Sequence, residues 1–499
     1  MNVIFVLLDS VNRHLLEPYG GPEGITPNIQ RLAERGVRFD NHFAGSLPCM
    51  PARRELFTGR QDFLWRPWGH LEPFDTLLPH VAATQGYKTM MVTDHYHYWE
   101  ENAHGYIQSF QGLEMIRGYE GDNWNIDPVE KLPLWVRAIE KYRPGRGVRY
   151  YRNVRHFQRE EDYFSARVFD RACQWVKTNY GHGPFYLQIE SFGAHEPFHV
   201  PEPYRSMRAK NVDEHYTIWP PYQDSEETRN FFDHTTLEEM EFIRAQYVGK
   251  LCMLDHWFGR LLDTLDALNA WPNTMLVVTT DHGHELGERH CYGKSHPHYA
   301  SHAQIPLIIW YPKASKNISS RSVKALTSTV DLNPTIIEAM GVPDYTAPDG
   351  RSLLGLVQGV TAKHRDAVLY GTYGHGLGCT TSEYTLLQGF DNLNHPLYLY
   401  STRLPRVDAD QHQQLSEISS GYYIPGVDWP VWRVPWTVGG EQSGSSVLYR
   451  RDDPLFQERN LVEVDRRGYH QMRHITEQVM EEEGSPPEQF ERLGLTPRD

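Results

Sequence analysis

"NVIFVLLDS", residues 2 to 10, runs from a short apolar segment into an aspartate and a serine. An uninterrupted apolar run of this length is the pattern of a strand buried on both faces, and such strands belong to parallel sheets covered by helices. Ligands of open parallel sheets bind beyond the carboxyl ends of the strands. Asp9 and Ser10 therefore stand where a site is expected.

The neighbouring segments repeat the strand-then-helix alternation. "ITPNIQRLAERGVRF" offers Thr26 as N-cap, Pro27 at the first helical position and Gly36 as a stop. Further strands are expected at "YKTMMVT" (87–93), "PFYLQIES" (184–191), "TMLVVTT" (274–280) and "IPLIIWY" (305–311), with helices at 162–180 and from Leu237 to Ala270. The fold class is α/β, a large, mostly parallel central sheet flanked by helices. From about 365 the pattern changes to short strands, "AVLYGTY", "YTLLQGF" and "PLYLYST", closed by a helix at 468–483. The expected organisation is a catalytic domain over 1–365 and a smaller C-terminal antiparallel α+β subdomain over 366–499. The stretch from about 100 to 160 loses its periodicity and is expected to be an inserted loop region beside the site.

Composition narrows the function. Lys and Arg total 49 against 64 Asp and Glu, a formal charge of -15, so a nonspecific nucleic-acid or anionic-membrane binder is disfavoured. No apolar run is long enough to span a bilayer. Met1 leads directly into the first strand without a signal-peptide pattern, which gives a cytoplasmic expectation. The five cysteines, at 49, 173, 252, 291 and 379, lack metal-clip spacing and are odd in number, against a disulfide framework.

Other strand ends carry chemistry too. His195 and His199 follow the strand at 184–191, and Asp281-His282-Gly283 follows the one at 274–280. Asp9, Asp281 and His282 together make a plausible divalent-cation site. In "SLPCMPARRELFTGR" (46–60), a helix starting near Pro51 would put Cys49 at the positive end of its dipole, beside Arg53, where an anionic nucleophile or substrate is stabilised.

Cys49-Met50-Pro51-Ala52-Arg53, followed by Thr58-Gly59, resembles the C-x-P-x-R signature of the sulfatase family, members of the alkaline phosphatase superfamily. The resemblance extends in order through "FVLLDS", "TPNIQRLAERGVRFDNHFA", "PFYLQIESFGAHEPFHVP", "TTDHGHELGERHCYGK", "VDLNPTIIEAMGVP" and "LYRRDDPLFQERNL". It implies an alkaline-phosphatase-like fold and a cysteine oxidised to formylglycine by a maturation enzyme. It further implies that hydrated formylglycine at Cys49 attacks sulfur and also binds the metal, with Asp9, Asp281 and His282 as the other ligands. Arg53 would hold the nucleophile, Lys294 would contact the sulfate and bridging oxygen, and His195 would protonate the leaving group. The family's usual cation is Ca2+, with Mn2+ or Mg2+ as alternatives.

Three positions depart from the family pattern. Ser10 stands where many members have a second aspartate, and its neutral hydroxyl is a weaker ligand. His282 replaces the common asparagine, as in phosphonate monoester hydrolases and choline sulfatases, and improves the case for Mn2+. Asp94 and Tyr96, flanked by His95 and His97, occupy the positions of a sulfate-binding Lys-x-His pair. Asp94, Tyr96 and His97 are accordingly the candidate substrate-binding residues. The expected activity is hydrolysis of a small-molecule or sugar sulfate monoester, the alternative being a phosphonate monoester or phosphodiester hydrolase or an enzyme acting on both. A homo-oligomer is plausible.

Overall fold

The computed structural model describes residues 1–100, 103–221, 226–294, 296–314, 322–390, 394–404, 417–438, 444–452 and 459–497. Residues 453–458, within the closing motif of the chain, lie outside these. At the centre is the opening run: Asn2–Leu8 forms a strand, β1, buried at every position and paired in parallel on both sides. In chain order the sheet continues with β2 (Val37–Phe43), β3 (Lys88–Thr93), β4 (Gly112–Met115), β5 (Phe185–Ser191), β6 (Thr274–Thr279), β7 (Gln304–Trp310) and β8 (Ser322–Ser328). Their order across the sheet is β8-β2-β7-β6-β1-β5-β3-β4. Only β7 runs against its neighbours.

The period of two in a strand sends alternate side chains to opposite faces. Val3, Phe5 and Leu7 enter a core with helices Cys49–Thr58, Leu78–Thr84 and Leu332–Ala339, whereas Ile4, Val6 and Leu8 enter one with Pro27–Arg35, Phe164–Asn179 and Leu237–Ala267. Both faces of β1 are thus apolar, which is why its sequence shows no alternation. Among the described residues, no helix is long and apolar enough to cross a membrane.

Two expectations need correction. Thr26 does not cap its helix through its side chain: its hydroxyl accepts from Glu17 N. The free N–H groups of Asn28 and Ile29 are satisfied instead by the Asp255 carboxylate of the long helix, at 2.9 and 2.8 Å. Gly259 permits this contact, since a Cβ there would lie 2.6 Å from the Asn28 amide. The 100–160 stretch is also not simply loop: it holds the edge strand β4 and helices Leu134–Tyr142 and Arg146–Val154. These elements are short and rich in Arg and Tyr, so their apolar spacing is diluted.

The smaller sheet has the order Val447–Arg450, Tyr384–Gln388, Leu377–Thr380, Val368–Thr372, Ser46–Leu47. Its C-terminal strands are antiparallel, as expected, but its last member comes from the segment just ahead of Cys49 and pairs in parallel with Gly371 and Thr372. Helix Arg466–Glu482 covers this sheet through Met472 and Met480. The start of the Cys49 helix is therefore fixed by both sheets.

A buried ion pair secures the entry into the smaller sheet. Asp331, wholly buried ahead of helix Leu332–Ala339, accepts from Arg365 at 2.5 and 3.0 Å and from the backbone of Ser328 and Arg351 at 2.9 Å. Burial works to raise its carboxyl, but the Arg365 guanidinium prevails and holds it below the usual range. Breaking such a pair costs about 3 kcal/mol because one charge is left buried alone. Since the folded pKa is depressed, the contribution is complete above the ordinary Asp value of about 3.9 and is lost as pH falls below it. In urea unfolding, Asp331→Asn is expected to lower stability by about this amount at pH 7, with a difference from the wild type that shrinks on acidification.

Candidate active site

Three adjacent strands each end in a carboxylate, and one arginine joins them. Asp9 follows β1, Glu190 lies near the end of β5, and Asp281 lies just past β6. Arg53, one turn into helix Cys49–Thr58, donates Nη2 to Asp9 Oδ2 (3.0 Å), Nε to Glu190 Oε2 (3.0 Å) and Nη1 to Asp281 Oδ2 (2.8 Å). Nη1 also reaches the Cys49 carbonyl at 3.1 Å. Arg53 is 1% exposed and the three acids are wholly buried. At that burial the guanidinium is worth keeping only because its planar fork is met on every edge.

Cys49 is the first residue of the helix, wholly buried, with Sγ 3.2 Å from His282 Nε2. Burial foremost, then Asp9, pushes the thiol pKa up. As a cysteine it stays protonated, contrary to the expectation that the helix dipole and Arg53 favour an anion there. The reason is burial, reinforced by the Asp9 carboxylate, which together outweigh Lys294 and an Arg53 already committed to three carboxylates.

Asp9, Cys49, Asp281 and His282 place one ligand atom each within 4.8 Å of one another. His282 Nδ1 donates to Gly283 O at 2.7 Å, which assigns the tautomer and leaves Nε2 as a lone pair facing the group. Burial first, then the Asp281 carboxylate, drives the Asp9 carboxyl up. Two carboxylates, an imidazole nitrogen and the atom at position 49 fit a divalent cation. Ser10, held at φ 62°, donates its hydroxyl to Asp9 Oδ1 (2.8 Å) and its backbone N–H to Asp281 Oδ1 (3.1 Å), so it braces two ligands. Gly283 serves chain packing: a Cβ would meet Ser301 O at 1.9 Å.

Lys294 Nζ lies 2.9 Å from His195 Nε2, and His195 Nδ1 donates to Glu196 O at 2.8 Å. His195 is kept neutral by burial, reinforced by Lys294. Its loop is clamped by Lys250, unmarked by sequence reasoning, which donates to the carbonyls of His195 (2.6 Å) and Pro197 (3.0 Å) and also bonds the Tyr119 hydroxyl. His199 is turned away, stacked on Trp135.

The predicted substrate-binding residues separate. Asp94 accepts from Phe192 N at 2.8 Å, and burial pushes its carboxyl up to about 7. Tyr96 packs against His97 and Phe192. His97 stands edge-on to Trp68, with Nε2 3.6 Å from Glu120 Oε2. From this segment the Arg53 group is approached instead by Tyr98, whose hydroxyl bonds Glu190, and by His95, with Nδ1 4.0 Å from Asp9 Oδ2. Glu190 was missed altogether. Its signal, a lone carboxylate inside an otherwise buried strand, was present in "FYLQIES", and its second oxygen is satisfied by Tyr98 OH (2.8 Å) and Gln188 Nε2 (2.5 Å).

The family model described as Sulfatase matches residues 1–342. The chain belongs to the sulfatase family. This sulfatase-family chain is 27% identical over 400 residues to the multifunctional alkaline phosphatase superfamily protein PehA of Trinickia caryophylli, covering 71% of this chain and 76% of that protein. It is 25% identical over 385 residues to the choline-sulfatase of Rhizobium meliloti (strain 1021), covering 72% of each. Its fold matches phosphonate monoester hydrolase SpPMH from Silicibacter pomeroyi with a TM-score of 0.65 at 18% identity, over 96% of this chain and 94% of that one. The large sheet with its smaller antiparallel companion is thus the alkaline-phosphatase-like architecture.

Removing a group that orients metal ligands typically weakens metal binding by about ten- to a hundredfold. Calorimetric titration with Ca2+ and with Mn2+ is expected to show one tight site in the wild type. Glu190→Gln should weaken it by roughly that factor, and Asp281→Asn should abolish it while the circular dichroism stays native.

Proposed function

We propose that the protein hydrolyses a sulfate monoester through formylglycine derived from Cys49. The observation that carries this reading is the Arg53 carboxylate cluster gathered at Cys49, with Lys294, the partner of His195, near enough for its charge to act on the same thiol. A protonated thiol is a poor nucleophile toward sulfur, and conversion to a hydrated aldehyde replaces it with a gem-diol oxygen. That oxygen would attack sulfur as the ester S–O bond breaks, giving a sulfated residue 49. Loss of the remaining hydroxyl proton would then expel sulfate and restore the aldehyde.

A divalent cation held by Asp9, Asp281, His282 and residue 49 would neutralise sulfate oxygens. Calcium is the family's usual ion, and the His282 nitrogen strengthens the case for Mn2+, with Mg2+ a further alternative. Arg53 holds the backbone of residue 49 and both aspartates in register. Lys294 donates toward the bridging oxygen as charge builds there. His195, with Nε2 facing Lys294, relays a proton to the departing alcohol. A maturation enzyme for Cys49 is the implied partner, and the substrate is a small-molecule or sugar ester.

One observation favours a second reading. His282, the residue that phosphonate monoester hydrolases resembled by this chain carry, comes with the absence of a cationic pair at Asp94 and Tyr96, and a site so built suits a phosphonate monoester or phosphodiester as well as a sulfate.

The test is parallel initial rates with 4-nitrophenyl sulfate, a phenyl phosphonate monoester and a phosphodiester. Preference for sulfate is expected, and preference for the phosphorus esters establishes the second reading. Cys49→Ala should reduce every rate by at least about a thousandfold, and near-wild-type turnover in that folded variant overturns the mechanism.

A further inference from the structure

The two sides of the site differ in how their polar atoms are satisfied. Around Arg53 nearly every oxygen has a partner. Next to it, buried polar atoms without hydrogen bonds gather: both nitrogens of His95, whose Nδ1 is 4.0 Å from Asp9, Nδ1 of His97, Oε2 of Glu120, and the carboxylate of Glu196, which faces His195 Nδ1 at 3.5 Å and His284 Nδ1 at 3.8 Å. Buried polar atoms in native folds are paired, so those left over here, Glu120 Oε2 among them, are poised to accept or donate to an incoming group.

Among these residues Glu120 is singular. It is 4% exposed yet carries a carboxylate, and its backbone is held at φ 43°, a left-handed conformation costly for a side chain of this size. Its neighbours tie it to the site on both sides. Tyr119 donates its hydroxyl to His195 O at 2.7 Å, and a Cβ on Gly121 would lie 3.1 Å from the Tyr96 hydroxyl. The carboxylate faces His97 Nε2 at 3.6 Å and Arg146 Nη1 at 3.8 Å, both beyond hydrogen-bonding distance, and Arg146 is half exposed. Glu120 thus sits where the charge of Lys294, the partner of His195, reaches it, with half-exposed Arg146 on its other side. Burial raises its carboxyl to about 7, Glu196 adds to the rise and Lys294 opposes it. A donor brought by a ligand would favour the charged form.

We propose that Glu120 is a specificity residue that accepts a hydrogen bond from an N–H or O–H group on the alcohol part of the ester, selecting amino-alcohol or polyol esters over bare aryl ones. The inference rests on the ester-hydrolase reading above. A carboxylate built to meet a donor rejects analogues that lack it, because the buried acceptor is then left unpaired.

The test compares wild type with Glu120→Gln, and with Glu120→Asp as a charge-retaining control, on protein with verified Cys49 conversion. The substrates are 2-aminoethyl sulfate, glucose 6-sulfate, choline sulfate and 4-nitrophenyl sulfate. The ratio of kcat/KM for the better donor-bearing ester to that for 4-nitrophenyl sulfate is expected to fall roughly ten- to a hundredfold in Glu120→Gln. Glu120→Asp should restore part of it. Loss with 2-aminoethyl sulfate alone assigns an ammonium ligand, and loss with glucose 6-sulfate alone assigns a hydroxyl. An unchanged ratio overturns the proposal. So does an equal loss with choline sulfate, whose quaternary nitrogen has no donor, or a wild type that hydrolyses 4-nitrophenyl sulfate but neither donor-bearing ester. If converted wild-type protein hydrolyses no sulfate or phosphorus ester at all, the ester-hydrolase reading itself fails.

Discussion

A single buried guanidinium organises this molecule. Arg53 meets carboxylates from the ends of three neighbouring parallel strands, and it reaches the backbone carbonyl of residue 49 one turn earlier in its own helix. Three acids packed together without it would repel one another strongly at low dielectric, and a cation alone would leave their orientation open. The arginine fixes the spacing of Asp9 and Asp281 and the register of the helix against the sheet. The ends of β1, β5 and β6 must therefore lie side by side, which the strand order provides.

The rest of the architecture secures that helix from outside. Ser46–Leu47 is taken up as a strand of the smaller sheet immediately before Cys49, while Asn333 donates to the carbonyls of Leu56 and Phe57 near the helix's far end. The C-terminal part of the chain thereby bears on how the Cys49 helix is set, through the pairing of Ser46 and Leu47 with Gly371 and Thr372. Lys250 and Tyr119 do the equivalent for the His195 loop, through backbone carbonyls and the stacking of Tyr119 on Phe192.

Much of this was legible in the sequence. The apolar runs gave the parallel sheet because strands buried on both faces need no alternation, and the residues at their carboxyl ends gave Asp9, Asp281 and His282. The motif at Cys49 connected them to Arg53. Glu190 escaped because a carboxylate within a strand looks like an interruption until its partners, Arg53, Tyr98 and Gln188, are brought together from distant segments. For Asp94 and Tyr96 the sequence is less informative for a different reason: position relative to a family motif fixes where the backbone passes, whereas the turn at Tyr96–Trp99 decides how each side chain is directed. There His95 is turned toward Asp9, and Asp94 is spent on the Phe192 backbone. Lys250 and Glu120 have no local signature, since their roles depend on burial.

The central claim is that residue 49 acts only after it has ceased to be a cysteine. The most direct measurement sets turnover of 4-nitrophenyl sulfate against the fraction of Cys49 converted, read by peptide mass, across preparations made with and without a formylglycine-generating enzyme. The account predicts a straight line through the origin. Turnover that is independent of the converted fraction, or substantial in fully unconverted protein, would contradict it.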